Sequence, residues 1–141
     1  MSIANILYRA SVNVTGGREG RAVSADNTLN LTLTTPRELG GTGAPGSNPE
    51  QLFAAGYSAC FLAALKLVGR RDKITIPADA SIEGTAGIGQ ADNGYGLEIE
   101  LIISLPGMAR AKAETLIAAA HLVCPYSHAT RGNIDVTLTL A

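Results

Sequence analysis

The chain has no tryptophan, and its 141 residues include only four Tyr and two Phe. Base-stacking platforms need more aromatic faces than that. Lys and Arg total 11 against 12 Asp and Glu, a net charge of −1, so the basic face that phosphate backbones require is missing as well. Charged residues make up 16% of the chain, against roughly 25% in an ordinary soluble domain. So little charge predicts that some apolar surface closes against a partner subunit. The longest nearly apolar run, Leu52 to Leu65, stops at Lys66, short of the roughly 20 residues of a membrane span. Met1 to Asn5 show neither the basic stretch nor the apolar core of a secretion signal. The expected setting is the cytoplasm, without membrane contact, where thiols stay reduced. Only two cysteines are present, with 63 residues between them, which excludes a CxxC redox motif and a zinc ribbon. In a reducing compartment they are either inert core residues or a working redox pair.

What is present reads as one α+β domain over residues 1–141. Ile3 to Val14, Arg21 to Ala25 and Leu29 to Thr34 read as an N-terminal antiparallel meander, with turns at Thr15–Gly20 and at Asp26-Asn27. A Gly/Pro-rich loop, Pro36 to Ser47, follows. Asn48-Pro49-Glu50-Gln51 then opens a helix, with Asn48 at the N-cap and Pro49 at the first helical position. This helix runs to about Gly69 and is apolar on every side through Leu65, which predicts burial. Ala80 to Gln90 and Tyr95 to Ser104 read as a hairpin joined at Asp92-Asn93-Gly94. Met108 to Leu122 is helical, ended or kinked by Pro125. Ile134 to Leu140 alternates as a last strand.

Several residue patterns suggest chemistry. Gly41-Thr42-Gly43-Ala44-Pro45-Gly46 spells a dinucleotide fingerprint but lacks the strand before it and the acidic residue about 20 positions on. No cofactor is expected. His121, Cys124 and His128 have the spacing of metal ligands, yet Pro125 interrupts the helix between the last two and no fourth ligand is evident. Arg18 lies in a Gly-flanked turn, and Glu50 in the first turn of the long helix, where the dipole alone favours a carboxylate. Cys60 and Cys124, taken singly, read more readily as small core hydrophobes.

Together these residues form a pattern. Asn48 to Phe61 closely resembles a signature of the organic hydroperoxide resistance proteins, a branch of the OsmC/Ohr family. Cys124-Pro125-Tyr126-Ser127 with Ala129 to Asn133 resembles that family's second signature, and Gly17 to Arg21 with Pro36 to Gly41 resembles its N-terminal segment. The Gly-Tyr before the first Cys sets this branch apart from the osmotically inducible one. The resemblance implies an OsmC/Ohr-like fold with antiparallel sheets around a long buried central helix, assembled as an intertwined homodimer. It implies a thiol peroxidase acting on organic and fatty-acid hydroperoxides, recycled by a dithiol such as a lipoylated protein. Cys60 would then be the peroxidatic thiol and Cys124 the resolving thiol, with Arg18 and Glu50 as the partners that activate Cys60. Leu52, Phe53, Tyr57, Phe61 and Tyr126 are candidates for lining an alkyl channel, with the loop from Gly40 to Ser47 as its lid. An osmotically inducible-type peroxidase, a redox sensor or ligand binder on the same fold, and a metal-dependent hydrolase are the alternatives.

Electrostatics is consistent with those roles. A free thiol with pKa about 8.5 is only slightly ionised at neutral pH. A guanidinium about 4 Å away is worth up to roughly 4 kcal/mol at an effective dielectric of 20, whereas burial opposes ionisation. Glu50 has the wrong sign to stabilise a thiolate, so its expected role is to orient Arg18 through a bidentate pair. Glu50 and Cys60 are about 15 Å apart along a continuous helix. Arg18 and Glu50 are therefore expected from one subunit and the two cysteines from the other.

Overall fold

A computed structural model describes residues 1–141. The chain divides into two compact units, Met1–Pro49 and Glu50–Ala141.

The first unit holds a three-stranded antiparallel sheet of β1 (Val12–Thr15), β2 (Gly20–Ser24) and β3 (Asn30–Leu33) in sequential order. The first strand is much shorter than the alternation from Ile3 predicts. Residues 3–10 find no strand to pair with in this protomer, and Ile3, Leu7 and Tyr8 are exposed. The β1–β2 turn carries Arg18 and depends on its glycines. Gly16 and Gly17 have φ of 73° and 59°, and a Cβ on Gly20 would lie 1.9 Å from the Thr15 carbonyl oxygen. The Thr35 amide donates to the Glu19 carboxylate at 3.0 Å, which ties this turn to the start of the Gly/Pro loop. The Thr35 side chain first, and its amide second, hold the Glu19 carboxyl below its usual range. The loop itself is closed at its neck, where the Ser47 amide donates to the Thr32 carbonyl and the Thr34 amide to the Ser47 carbonyl. Within it, a 3₁₀ turn spans Arg37–Leu39, and the Arg37 guanidinium donates to the Thr42 carbonyl at 3.0 Å. Such a loop is a compact Ω shape packed on itself.

The second unit begins in the long helix α1 (Pro49–Arg71) and continues through β4 (Ser81–Ala91), β5 (Gly94–Ser104), α2 (Arg110–Val123), α3 (Pro125–Thr130) and β6 (Val136–Leu140). The β4–β5 hairpin pairs from Ser81↔Ser104 to Ala91↔Gly94, leaving Asp92 and Asn93 as its turn. β6 lies on the other side of β5 and pairs with it in parallel, from Ile99↔Val136 to Ile103↔Leu140. A parallel neighbour needs a long crossover, and α2 with α3 supplies it. The sequence alternation of β6 carries no information about strand direction, so the mainly antiparallel expectation misses this pair.

Ile99, Leu101 and Ile103 alternate onto one face of β5 and share a core with Tyr57, Phe61, Leu65 and Val68 of α1 and Leu116 and Ala120 of α2. Each large apolar side chain so enclosed contributes about 2 kcal/mol. α1 reaches the sheet at Gly84, where a Cβ would lie 2.2 Å from Ser58 Oγ and 3.0 Å from the Ala54 carbonyl oxygen. Only a glycine permits that approach. By length and composition α1, with 23 residues, is able to span a membrane. Its core-facing stripe instead packs inside the protein, while Ala55, Ala59, Ala63 and Leu67 stay exposed in this protomer. Burial is therefore one-sided here, although the sequence is apolar around the whole helix.

Candidate active site

Cys60 lies near the middle of α1, and Cys124 at the junction of α2 and α3. Pro125 makes that junction. A residue before proline is driven out of the helical region, and Cys124 is extended at φ −65°, ψ 125°. Its amide still donates to the Ala120 carbonyl, closing α2, and its carbonyl accepts from the His128 amide, opening α3. Pro125 then stands at the first helical position, where its missing N–H costs nothing. The sequence shows Pro125 ending or kinking the helix but does not disclose the six-residue helix after it.

The fold brings the two thiols together. Both are free, Cys124 fully buried and Cys60 half-buried, and they are near enough for each to influence the ionisation of the other. The Tyr126 amide, in the first turn of α3, faces Cys60 and favours the charged form of its sulfur. Burial pushes the Cys60 thiol above its ordinary range, the neighbouring Cys124 adds to this, and the Tyr126 amide pulls it down. Within the second unit, then, burial and Cys124 outweigh the Tyr126 amide, and the thiolate of Cys60 is disfavoured.

Aromatic rings stand beside the thiols. The Phe53 and Tyr57 rings meet edge to face at 6.1 Å, and Tyr126 lies 5.6 Å from Tyr57 and 6.4 Å from Phe53 between centroids. Phe53 is half-buried and Tyr126 is 37% exposed. Tyr57 and Phe61 are fully enclosed, with Phe61 packed 6.4 Å from the His121 ring. These two belong to the core of the protomer, because the stripe at 54, 57, 61, 64, 65 and 68 is the face that α1 turns inward. Phe53 and Tyr126 are the aromatics that remain accessible.

Gly56 explains the glycine one turn before Cys60. A Cβ there would lie 2.7 Å from the Tyr126 hydroxyl oxygen and 3.2 Å from the ring carbon that bears it. Gly56→Ala is expected to turn the half-exposed Tyr126 ring off α1, with thermal stability changed by less than about 1 kcal/mol, because Ala favours the helix by about as much as the displaced ring contact costs. Thermal denaturation, with the Tyr126 ring resonances in NMR as a local reporter, checks this.

Sequence reasoning also missed a polar cluster behind Cys124. The Tyr57 hydroxyl lies 2.9 Å from Ser127 Oγ and 3.2 Å from Thr130 Oγ1, and His121 Nδ1 lies 2.8 Å from Ser127 Oγ. Burial, reinforced by Arg131 and His128, holds His121 below its ordinary pKa, so the ring is neutral at pH 7. Arg131 and His128 donate to the last carbonyls of α2, those of His121 and Leu122. These are the orphan acceptors every helix end leaves. His121 and His128 are thus directed at Ser127 and at a backbone carbonyl. With Cys124 they do not converge on one point, and no three His, Cys, Asp or Glu side chains cluster as metal ligands. The only sequence signal for this cluster was the polar spacing of Ser127 and Thr130 after the Cys-Pro step.

Glu50 sits in the first turn of α1, and the helix is unbroken to Arg71. It stands about 15 Å along the axis from Cys60. Arg18 lies in the β1–β2 turn of the first unit.

Residues 40–139 match the family model of OsmC-like proteins. The chain belongs to the OsmC-like family. Within that family it is 60% identical over 136 residues to an organic hydroperoxide resistance protein of Xanthomonas axonopodis pv. citri, covering 96% of each chain. An organic hydroperoxide resistance protein of Legionella pneumophila has a similar crystal structure, with TM-score 0.91, 42% identity and coverage of 97% of this chain and 99% of that one. A Vibrio cholerae structure, of a putative organic hydroperoxide resistance protein with captopril bound in one of its active sites, gives TM-score 0.92 at 38% identity, covering 99% and 95%. These relatives set the OsmC-like chain described here in the organic hydroperoxide resistance branch, with its α+β fold and long central helix.

Proposed function

We propose that this protein is a thiol-dependent peroxidase that reduces organic hydroperoxides to alcohols in a reducing, cytoplasmic compartment. The observation that carries the reading is the meeting of Cys60 and Cys124, with the Tyr126 amide facing Cys60. The Cys60 thiolate attacks the terminal peroxide oxygen. An S–O bond forms, the O–O bond breaks, and the alkoxide leaves and takes a proton as the alcohol. Cys60 becomes a sulfenic acid. Cys124 attacks that sulfur, water leaves, and a Cys60–Cys124 disulfide forms. A dithiol such as a dihydrolipoyl group restores both thiols by exchange. The accessible Phe53 and Tyr126 receive the alkyl group, and the enclosed Tyr57 and Phe61 back them.

The Cys60 thiol, raised by burial, requires a cation to ionise at neutral pH. Arg18 supplies it in this reading and also stabilises the departing alkoxide charge. Glu50 orients Arg18. The unbroken α1 argues that Glu50 serves the Cys60 of a second subunit. The exposed Ile3, Leu7, Tyr8 and Leu67, and the open alanine face of α1, support a homodimer in which such sharing occurs.

A coupled assay tests the reading. Cumene hydroperoxide should disappear one for one with oxidation of dihydrolipoamide, faster than hydrogen peroxide does. Dithiol oxidation no faster than the uncatalysed rate contradicts it. The same assay tests subunit sharing, with Glu50→Gln and Cys60→Ser chains unfolded and refolded together in equal amounts. About one site in four should then be intact, although each variant alone is inactive. Complete inactivity of the mixture overturns the shared site.

A further inference from the structure

The polar cluster behind Cys124 makes all its hydrogen bonds in only one direction, because each hydroxyl has a single proton to give. Thr130 Oγ1 has one proton, and it donates to the Tyr126 carbonyl at 2.9 Å, with the Ser127 carbonyl a weaker 3.3 Å acceptor. Toward the Tyr57 hydroxyl at 3.2 Å, Thr130 is therefore the acceptor. Tyr57 has then used its only proton, so the 2.9 Å bond to Ser127 is donated by Ser127. Ser127 in turn has none left for His121, and the 2.8 Å bond is donated by His121 Nδ1–H. The chain runs His121 Nδ1–H to Ser127, Ser127 to Tyr57, Tyr57 to Thr130, and Thr130 to the Tyr126 carbonyl. It satisfies every hydroxyl and assigns the His121 tautomer.

This chain joins three helices. It starts on α2, crosses to α1 through Tyr57, and ends on the first turn of α3, on the residue whose amide meets Cys60. Tyr57 and Ser127 are fully buried, where an unmade hydrogen bond is costly, so the chain is held as a unit. Tyr57 also lies one turn before Cys60 on the same helix.

We propose that Tyr57, Ser127 and His121 are positioning residues that hold the first turn of α3 so that the Tyr126 amide keeps facing the Cys60 sulfur. The proposal rests on the reading of Cys60 as the attacking thiol. What it adds is that the reactivity of Cys60 is set partly by a hydroxyl relay that touches neither sulfur. Loss of the relay frees the turn, weakens the amide contact with the thiolate, and raises the reactive pKa of Cys60.

The test is the pH dependence of Cys60 alkylation by iodoacetamide in the reduced full-length protein, followed by peptide mass. Peroxide turnover is not the readout, so failure of the peroxidase reading and failure of this proposal remain distinguishable. Tyr57→Phe keeps the ring and removes only the hydroxyl, and Ser127→Ala interrupts the relay at its second link. Both should alkylate about threefold to tenfold more slowly at pH 7, with the profile moved to higher pH. Thr115→Ala on the exposed face of α2, where Thr115 bonds only the Ala111 carbonyl, should match the wild type. Heteronuclear NMR should show His121 as the Nδ1–H tautomer in the wild type and its return toward the Nε2–H form in Ser127→Ala. Folded Tyr57→Phe and Ser127→Ala proteins with unchanged alkylation profiles overturn the proposal, whatever happens to their thermal stability. So does a wild-type His121 in the Nε2–H form.

Discussion

Cys60→Ser should abolish peroxide-dependent dithiol oxidation, a loss of about a thousandfold or more, because a hydroxyl at this position is not ionised and cannot take the peroxide oxygen. The fold should survive. Cys60 is half-buried on α1, its polar neighbours are Cys124 and the Tyr126 amide, and a Ser oxygen is accommodated beside that amide equally well. Circular dichroism and thermal denaturation close to wild type, with no turnover in the coupled assay, is the combined result expected. Full multi-turnover activity in Cys60→Ser would refute the assignment of the attacking thiol.

Cys124→Ser should separate the two chemical steps. The first attack needs only Cys60, and removing Cys124 also removes a neighbour that raises the Cys60 pKa. Single-turnover consumption of cumene hydroperoxide should therefore stay within about twofold of wild type or become faster. The steady-state rate should fall at least about tenfold, because the sulfenic acid has no internal thiol to condense with. Dimedone should trap that sulfenic acid, and excess peroxide should carry Cys60 on to the sulfinic acid. Stopped-flow peroxide consumption and intact mass after each equivalent distinguish these outcomes. Unchanged steady-state turnover would mean that an external thiol resolves Cys60 directly.

The parts of the fold legible in the sequence are those whose signals are long or chemically specific. The β4–β5 hairpin, with its Asp-Asn-Gly turn, lies within a residue of the expected bounds. α1 begins at Pro49 as its opening residues indicate. The N-terminal strand was over-read because alternation from Ile3 shows only that the segment suits a sheet. Pairing needs a neighbour, and in this protomer β2 supplies one only from Val12 to Thr15. α3 was missed for the opposite reason. Its six residues, Pro125 to Thr130, are too few to show a helical period, and Pro125 reads equally as the end of one helix or the start of another.

At the site, the sequence and its family resemblance pointed to Cys60 and Cys124, but no spacing could say that they meet. That depends on how α1 packs against the α2–α3 junction, through Tyr57, Ser127 and the clearance left by Gly56. The same packing separated the aromatic candidates. Helical phase turns Tyr57 and Phe61 inward and leaves Phe53 at the margin. Ser127 and His121 were invisible as a unit because their bond depends on the bend at Cys124-Pro125, a tertiary feature with no periodic signature.

The central claim is that Cys60 and Cys124 form one redox pair, and a single mass measurement addresses it most directly. The reduced protein is treated with one equivalent of cumene hydroperoxide, without reductant, and examined intact and as peptides. The account predicts a loss of two hydrogens and a peptide cross-linked between Cys60 and Cys124. Unreacted thiols, or oxygen added to Cys60 while Cys124 remains a free thiol, would contradict it.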